Sequence, residues 1–246
     1  MLGNRALIGI CILSAFAFSA FAASSASATD TTAITCGKGF TGDFTDAHCK
    51  SKGSGEFGHK KFEGRTAISS TNINTGIERS VTKLKGVQAG VTLEFQAKVL
   101  EGAGEMENTE VVNKSEENEM VARGTGVVTF KEVTVTAPAG KGCVVKGGEV
   151  KTKQLTGTTQ EQTNTLEIAP ETGETLAEFT VEGCSITPLN HIFKVTGLVR
   201  GTIEGATLRW THNGSTEQNT LFLSGQKVGI EGNGTLSGPG NPLTAT

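Results

Sequence analysis

Val91-Thr-Leu-Glu-Phe-Gln-Ala-Lys-Val99 decides the fold. Apolar residues occupy every second position, and Thr92, Glu94, Gln96 and Lys98 fill the positions between. Successive side chains of an extended chain point to opposite sides. This period of two therefore puts Val91, Leu93, Phe95, Ala97 and Val99 on a buried face and the polar set in water. A helix of 3.6 residues per turn would spread the same residues around its whole circumference.

The signature repeats on either side. Ala177, Phe179 and Val181 alternate with Glu178 and Thr180, and Phe193, Val195 and Val199 with Lys194, Thr196 and Arg200. Shorter runs lie at 127–130, 133–135, 221–223 and 228–230, separated by Gly, Asn, Pro and charge. No window carries a helical apolar stripe with caps, and threonine, which suits the wet face of a sheet, is abundant throughout. Many short strands with turn signals between them predict one all-β domain, an antiparallel β-sandwich or a barrel-like closure, over residues 65–246. Residues 29–64 are polar and Gly-rich, and read as an irregular N-terminal segment.

Residues 1–28 read as an export signal. Arg5 supplies the positive start, residues 6–21 an apolar run, and Ala26-Ser27-Ala28 the small-x-small site for cleavage after Ala28, with cleavage after Ala22 as the second choice. The run falls short of the roughly 20 residues that span a bilayer. Secretion to the extracellular space is the expected destination, with no membrane partner after signal removal. A formal net charge of −3 with interspersed signs argues against nucleic acid as a partner. An extracellular protein or a glycan is the remaining partner class.

Removal of the signal takes Cys11 with it and leaves Cys36, Cys49, Cys143 and Cys184. In an exported chain four cysteines point to two disulfides, with three possible connectivities. Sequence proximity favours Cys36–Cys49 and Cys143–Cys184, loops worth roughly 3 and 4 kcal/mol on the chain-entropy model. Four thiolates on zinc are the competing reading, but there is no Cys-x-x-Cys pair.

Residues 101–119 carry Glu101, Glu105, Glu107, Glu110, Glu116, Glu117 and Glu119 against Lys114. They lack the fixed Asp/Asn/Gly spacing of a calcium loop and read as a solvated hairpin tip.

Several motifs together resemble a family of secreted bacterial proteins with no established activity. They are Asp43-Phe-Thr-Asp-Ala-His-Cys49, Gly55-Glu-Phe-Gly-His59, Pro138-Ala-Gly-Lys-Gly-Cys143, Val181-Glu-Gly-Cys-Ser-Ile186 and Gly225-Gln-Lys-Val-Gly-Ile-Glu-Gly232. The resemblance implies a disulfide-containing β-rich architecture and export, and no catalytic residues. It also implies a further cysteine pair in relatives at the positions of Ala97 and Val133, which here are apolar.

Chemistry has few places to reside. There is no Gly-x-Ser-x-Gly elbow, no His-Glu-x-x-His and no phosphate-cradling loop ahead of a helix. The one cluster with metal-ligating residue types is Asp43, Asp46, His48, Glu56 and His59, which could hold a divalent cation near the first disulfide. The competing assignment has the aspartates capping turns and the histidines hydrogen-bonded in a packed loop. His191 and His212 fall beside turn signals and read as surface residues. No cofactor is expected beyond that one candidate metal. Trp210 is the single tryptophan and there is no tyrosine, which leaves little for a sugar-stacking platform.

The expectation is a secreted non-enzymatic extracellular β-protein with a structural or binding role. An extracellular hydrolase with a metal or carboxylate site near the N-terminal loop, and a carbohydrate or small-ligand binding module, are its alternatives.

Overall fold

The computed structural model describes residues 32–40, 42–47, 49, 51–72, 81–112, 118–160, 165–204, 207–211, 220–238 and 244–245. The expected export signal, His48, Lys114, Glu116, Glu117 and His212 lie outside them.

The chain is all-β and antiparallel. Its first four strands are β1 (Ala33–Lys38), β2 (Phe57–Lys61), β3 (Thr66–Thr71) and β4 (Thr82–Gln88). Two long ones follow, β5 (Val91–Val112) and β6 (Asn118–Ala137), of 22 and 20 residues. Then come β7 (Val144–Val145), β8 (Glu149–Lys151), β9 (Leu155–Thr159), β10 (Thr165–Pro170), β11 (Thr175–Glu182) and β12 (Ile192–Gly197). The last are β13 (Val199–Glu204), β14 (Thr207–Thr211), β15 (Leu221–Leu223), β16 (Gln226–Ser237) and β17 (Thr244–Ala245).

A small sheet of order β17-β1-β2 stands apart from one of 14 strands. The large sheet closes on itself twice. Among the described residues an upper ring runs β5-β3-β16-β14-β13-β10-β9-β6 and back to β5. A lower ring runs β5-β4-β16-β15-β12-β11-β7-β6 and again back to β5. Strands β5, β6 and β16 belong to both rings, so the barrel-like form is realised as two fused closures. Closure removes the unpaired edges that an open sheet would expose.

Hydrogen-bond register between β5 and β6 runs from Phe95↔Val135 to Val112↔Asn118, with a shift only between Glu94 and Phe95. Leu93, Phe95 and Ala97 are buried in the lower ring, as the alternation demands. The face then changes. Lys98 and Glu132 drop out of the ladder, Glu132 adopts φ 50°, and Leu100 rather than Val99 is the next fully buried residue. The expected inward position of Val99 is thus corrected by a local break in the ladder, in step on both strands, which swaps inside for outside at the junction of the rings. Above it Gly102, Gly104 and Met106 face inward.

Several sequence runs lengthen or divide. The short runs at 127–130 and 133–135 are parts of one strand, β6, and Val199 belongs to β13 rather than to the strand of Phe193 and Val195. Glycines at 102, 104, 124 and 126 continue the ladder. The acidic stretch is corrected as well: Glu101, Glu105, Glu107 and Glu110 lie along β5, not at a tip, and Glu119 is buried.

Both ends of the barrel are covered. At the lower end Phe95, Phe179 and Phe193 pack together, with ring centroids 5.0, 6.0 and 5.8 Å apart, and Leu189 is fully buried in the same cluster. Cys143–Cys184 ties the two loops there, and Cys36–Cys49 ties the N-terminal segment, with Cα separations of 4.1 and 5.8 Å. This is the pairing that sequence proximity favours. At the upper end Ala33 and Phe62 pack on Met106 and Ala122. Asn108 fastens this cover: its Oδ1 accepts from the Ala33 N–H at 2.8 Å, and its Nδ2 donates to the carbonyls of Ala33 and Phe62 at 3.0 and 3.3 Å. The N-terminal segment is irregular between its two strands, which its weak alternation does not announce.

Ala97 and Val133 are direct register partners, both buried. Directly opposed Cα atoms lie about 4.5–5.5 Å apart, within disulfide reach. Ala97→Cys combined with Val133→Cys should form a third crosslink during oxidative folding and raise Tm. Two thiols that stay reactive in the oxidised, folded double variant would contradict this register.

Candidate functional site

Of the expected metal cluster, each described member has a local engagement. Asp46 Oδ2 accepts from the Ser51 N–H at 2.6 Å and its carbonyl from the Cys49 N–H at 3.1 Å, a turn-capping role. Glu56 pairs with Lys38 at 2.6 Å on the surface. His59 stacks on Phe44, centroids 4.7 Å apart. Asp43 is exposed and its carbonyl accepts from the Gly53 N–H. Among the described residues no three His, Cys, Asp or Glu side chains converge as a metal group. His191 is exposed, with Nδ1 2.9 Å from the Pro188 carbonyl.

Glu119 is buried, whereas the cross-strand ion pairs Lys85–Glu94, Lys131–Glu101, Lys194–Glu178 and Arg200–Glu167 lie on the outer face at 3.8, 2.6, 3.2 and 2.8 Å. The hydrogen bond to Glu101 raises the pKa of Lys131 above the usual lysine value, against an opposing desolvation. Such exposed pairs contribute little to stability.

The interior is the opposite. A cavity of about 120 Å³ spans the junction of the rings, lined by Leu84, Phe95, Val133, Phe179, Val195 and their neighbours. A second, of about 110 Å³, fills the upper ring under Met106. Both linings are almost wholly apolar and share Val128, Leu155, Ile168 and Trp210. Glycine makes the upper space: Gly102, Gly104, Gly124, Gly126, Gly157 and Gly234 all line it. At 104 and 126 close backbone approach also demands glycine, because an added Cβ would run into the facing strand. At 157 and 234 a Cβ would make ordinary contacts, nearest 3.4 and 3.5 Å, so there the missing side chain is simply open volume.

Three residues form a row across β4, β16 and β14. Trp210 is the register partner of Gly232, and a Cβ on Gly232 would lie 2.8 Å from Thr82 Oγ1. Thr82 and Trp210 are 5 % and 8 % exposed, and both line the junction cavity. Neither Thr82 Oγ1 nor Trp210 Nε1 has a hydrogen-bond partner among the described residues. Buried polar groups are ordinarily paired, so two orphans beside one cavity single out this spot.

No family model, curated protein or solved structure matches the chain.

Sequence reasoning placed the candidate site in the N-terminal loop and missed the barrel interior. The available signal was glycine at alternate strand positions, 102/104, 124/126 and 232/234, where inward side chains belong. An unpaired buried hydroxyl costs stability that a methyl of the same shape does not. Thr82→Val should therefore raise the unfolding free energy of the ligand-free protein by about 1–2 kcal/mol in urea melts. A loss of similar size would mean that the hydroxyl is satisfied.

Proposed function

We propose that the chain is an exported, non-enzymatic binding protein that holds a small apolar molecule inside its double barrel. The observation that carries this reading is the pair of apolar cavities that meet at Trp210. Unfilled space of about 120 Å³ costs about 3 kcal/mol at roughly 24 cal/mol per Å³. A core serving stability alone would fill such space with side chains. Glycines that could carry a Cβ leave it open instead.

Size sets the ligand class. An engineered cavity of roughly 150 Å³ lined by aliphatic and aromatic side chains stays dry and takes up benzene. The interior here is of that order and offers the same surface chemistry. Its polar outside and apolar inside are the reverse of a membrane barrel with a lipid-facing apolar band, and suit a carrier in water. Among the described residues no helix is long and apolar enough to cross a membrane.

Export rests on the N-terminal sequence, and the two disulfides agree with an oxidising compartment. The hydrolase reading draws no support from the cavities, because none of Asp43, Asp46, Glu56 or His59 lines them. A sugar-stacking module would present its aromatic ring on the surface, whereas Trp210 is buried.

The test starts from the full sequence expressed in a bacterial host, with the mature chain purified from the medium. Its Tm should rise with toluene concentration, as binding to the native state alone requires. Gly157→Val with Ala177→Val, one filling each cavity, should raise Tm without toluene and abolish the toluene response. Retention of the unprocessed chain inside the cell would contradict export. Indifference of the wild-type Tm to toluene, or an undiminished response in the filled variant, would contradict interior binding.

A further inference from the structure

The row Thr82–Gly232–Trp210 narrows what the barrel holds, and the argument rests on the interior-binding reading above. Trp210 lines both cavities, so its indole lies where they meet. Its neighbours approach it closely because they lack side chains: Gly232 is its register partner on one side, and an added Cβ on Gly201, in β13, would sit 2.6 Å from Leu208 Cδ1 and 3.2 Å from Trp210 Cδ1. A buried indole N–H usually finds an acceptor. Here the described residues supply none, nor any partner for the Thr82 hydroxyl. The other hydroxyl of the junction cavity, Thr152 Oγ1, already accepts from the Val128 N–H at 3.0 Å. Among the described residues of the junction cavity, the polar capacity left over is therefore confined to one place: an N–H donor and a hydroxyl on either side of a glycine.

Charge complementarity then removes a class of ligand. Among the described residues no Lys, Arg or His lines either cavity. A carboxylate or ammonium buried there would lose its hydration without gaining a counter-ion, which is prohibitive. A pure hydrocarbon would fit the walls and leave both orphans unpaired. A neutral oxygen satisfies both conditions, because it accepts from the indole N–H and the hydroxyl without carrying charge.

We infer that the barrel is a site for a compact, uncharged apolar molecule bearing one oxygen, such as a ketone, ester or alcohol. The oxygen lies at the Thr82–Trp210 row and the carbon skeleton extends among Val128, Leu155 and Ile168. The volume limits the ligand to roughly ten non-hydrogen atoms, judged by the benzene-sized site of similar volume. The glycine at 232 lets Thr82 lie close against β16: any side chain there would press on it.

Trp210 is the single tryptophan, so the protein has one indole N–H signal. The ¹⁵N-labelled, disulfide-intact mature chain is titrated with cyclohexanone, methylcyclohexane and cyclohexanecarboxylate, which share a six-membered skeleton. Cyclohexanone should move the Trp210 N–H resonance downfield. Methylcyclohexane should perturb the surrounding methyl groups without that downfield shift, and the carboxylate should bind neither site. Thr82→Val should weaken cyclohexanone roughly tenfold, the value of one buried hydrogen bond, and leave methylcyclohexane unchanged. If both neutral probes bind but the indole signal ignores the ketone, or if Thr82→Val weakens both equally, the polar assignment is overturned while interior binding stands. If neither probe perturbs the folded protein, interior binding itself falls and takes this assignment with it.

Discussion

The continuous antiparallel ladder between β5 and β6 is the constraint on which the rest of the molecule depends. It is shared by both rings, and its register fixes which side chains of the two longest strands face inward. A slip of one residue would turn Leu93, Phe95 and Ala97 outward and bring Glu94 and Gln96 in. Every other strand of the large sheet joins this pair directly or through neighbours, so the two closures inherit its register. The break in the ladder at Lys98 and Glu132 exchanges the faces where one ring gives way to the other. The same ladder thereby presents Phe95 and Ala97 to the lower interior and Gly102, Gly104 and Met106 to the upper one.

Much of the lower ring was legible in the sequence because its inner face is made of large apolar residues. Leu93, Phe95, Phe179 and Phe193 alternate with charge, and a period of two between polar positions has one physical reading. The two disulfides were legible from spacing alone. The upper ring was not, because its inner positions are often glycine, and glycine in a strand pattern ordinarily marks a bulge or a break. Thus β5 reads as ending near Val99 although it continues through Gly102 and Gly104 to Val112. The site was hidden for the same reason. A cavity is a set of missing side chains, and sequence patterns register the side chains that are present.

The residues with the most suggestive chemistry turned out to serve the loop they occupy. Asp46 caps a turn, Glu56 meets Lys38 and His59 stacks on Phe44. Trp210, which reads in the sequence as too solitary for a binding platform, stands instead where the two cavities meet. Its register partner is Gly232, its N–H has no partner among the described residues and its cavity neighbours are apolar. These features make little sense as packing and fit a binding wall that leaves one polar contact to the ligand.

The central claim is that the closed barrels enclose apolar space, and xenon tests it most directly. Xenon enters apolar cavities of this size without needing a hydrogen-bond partner. In a crystal of the mature chain under xenon pressure, the account places a xenon atom between Val128, Leu155, Ile168 and Trp210, inside the ring of strands. A xenon-free interior, with side chains filling that space, would contradict it.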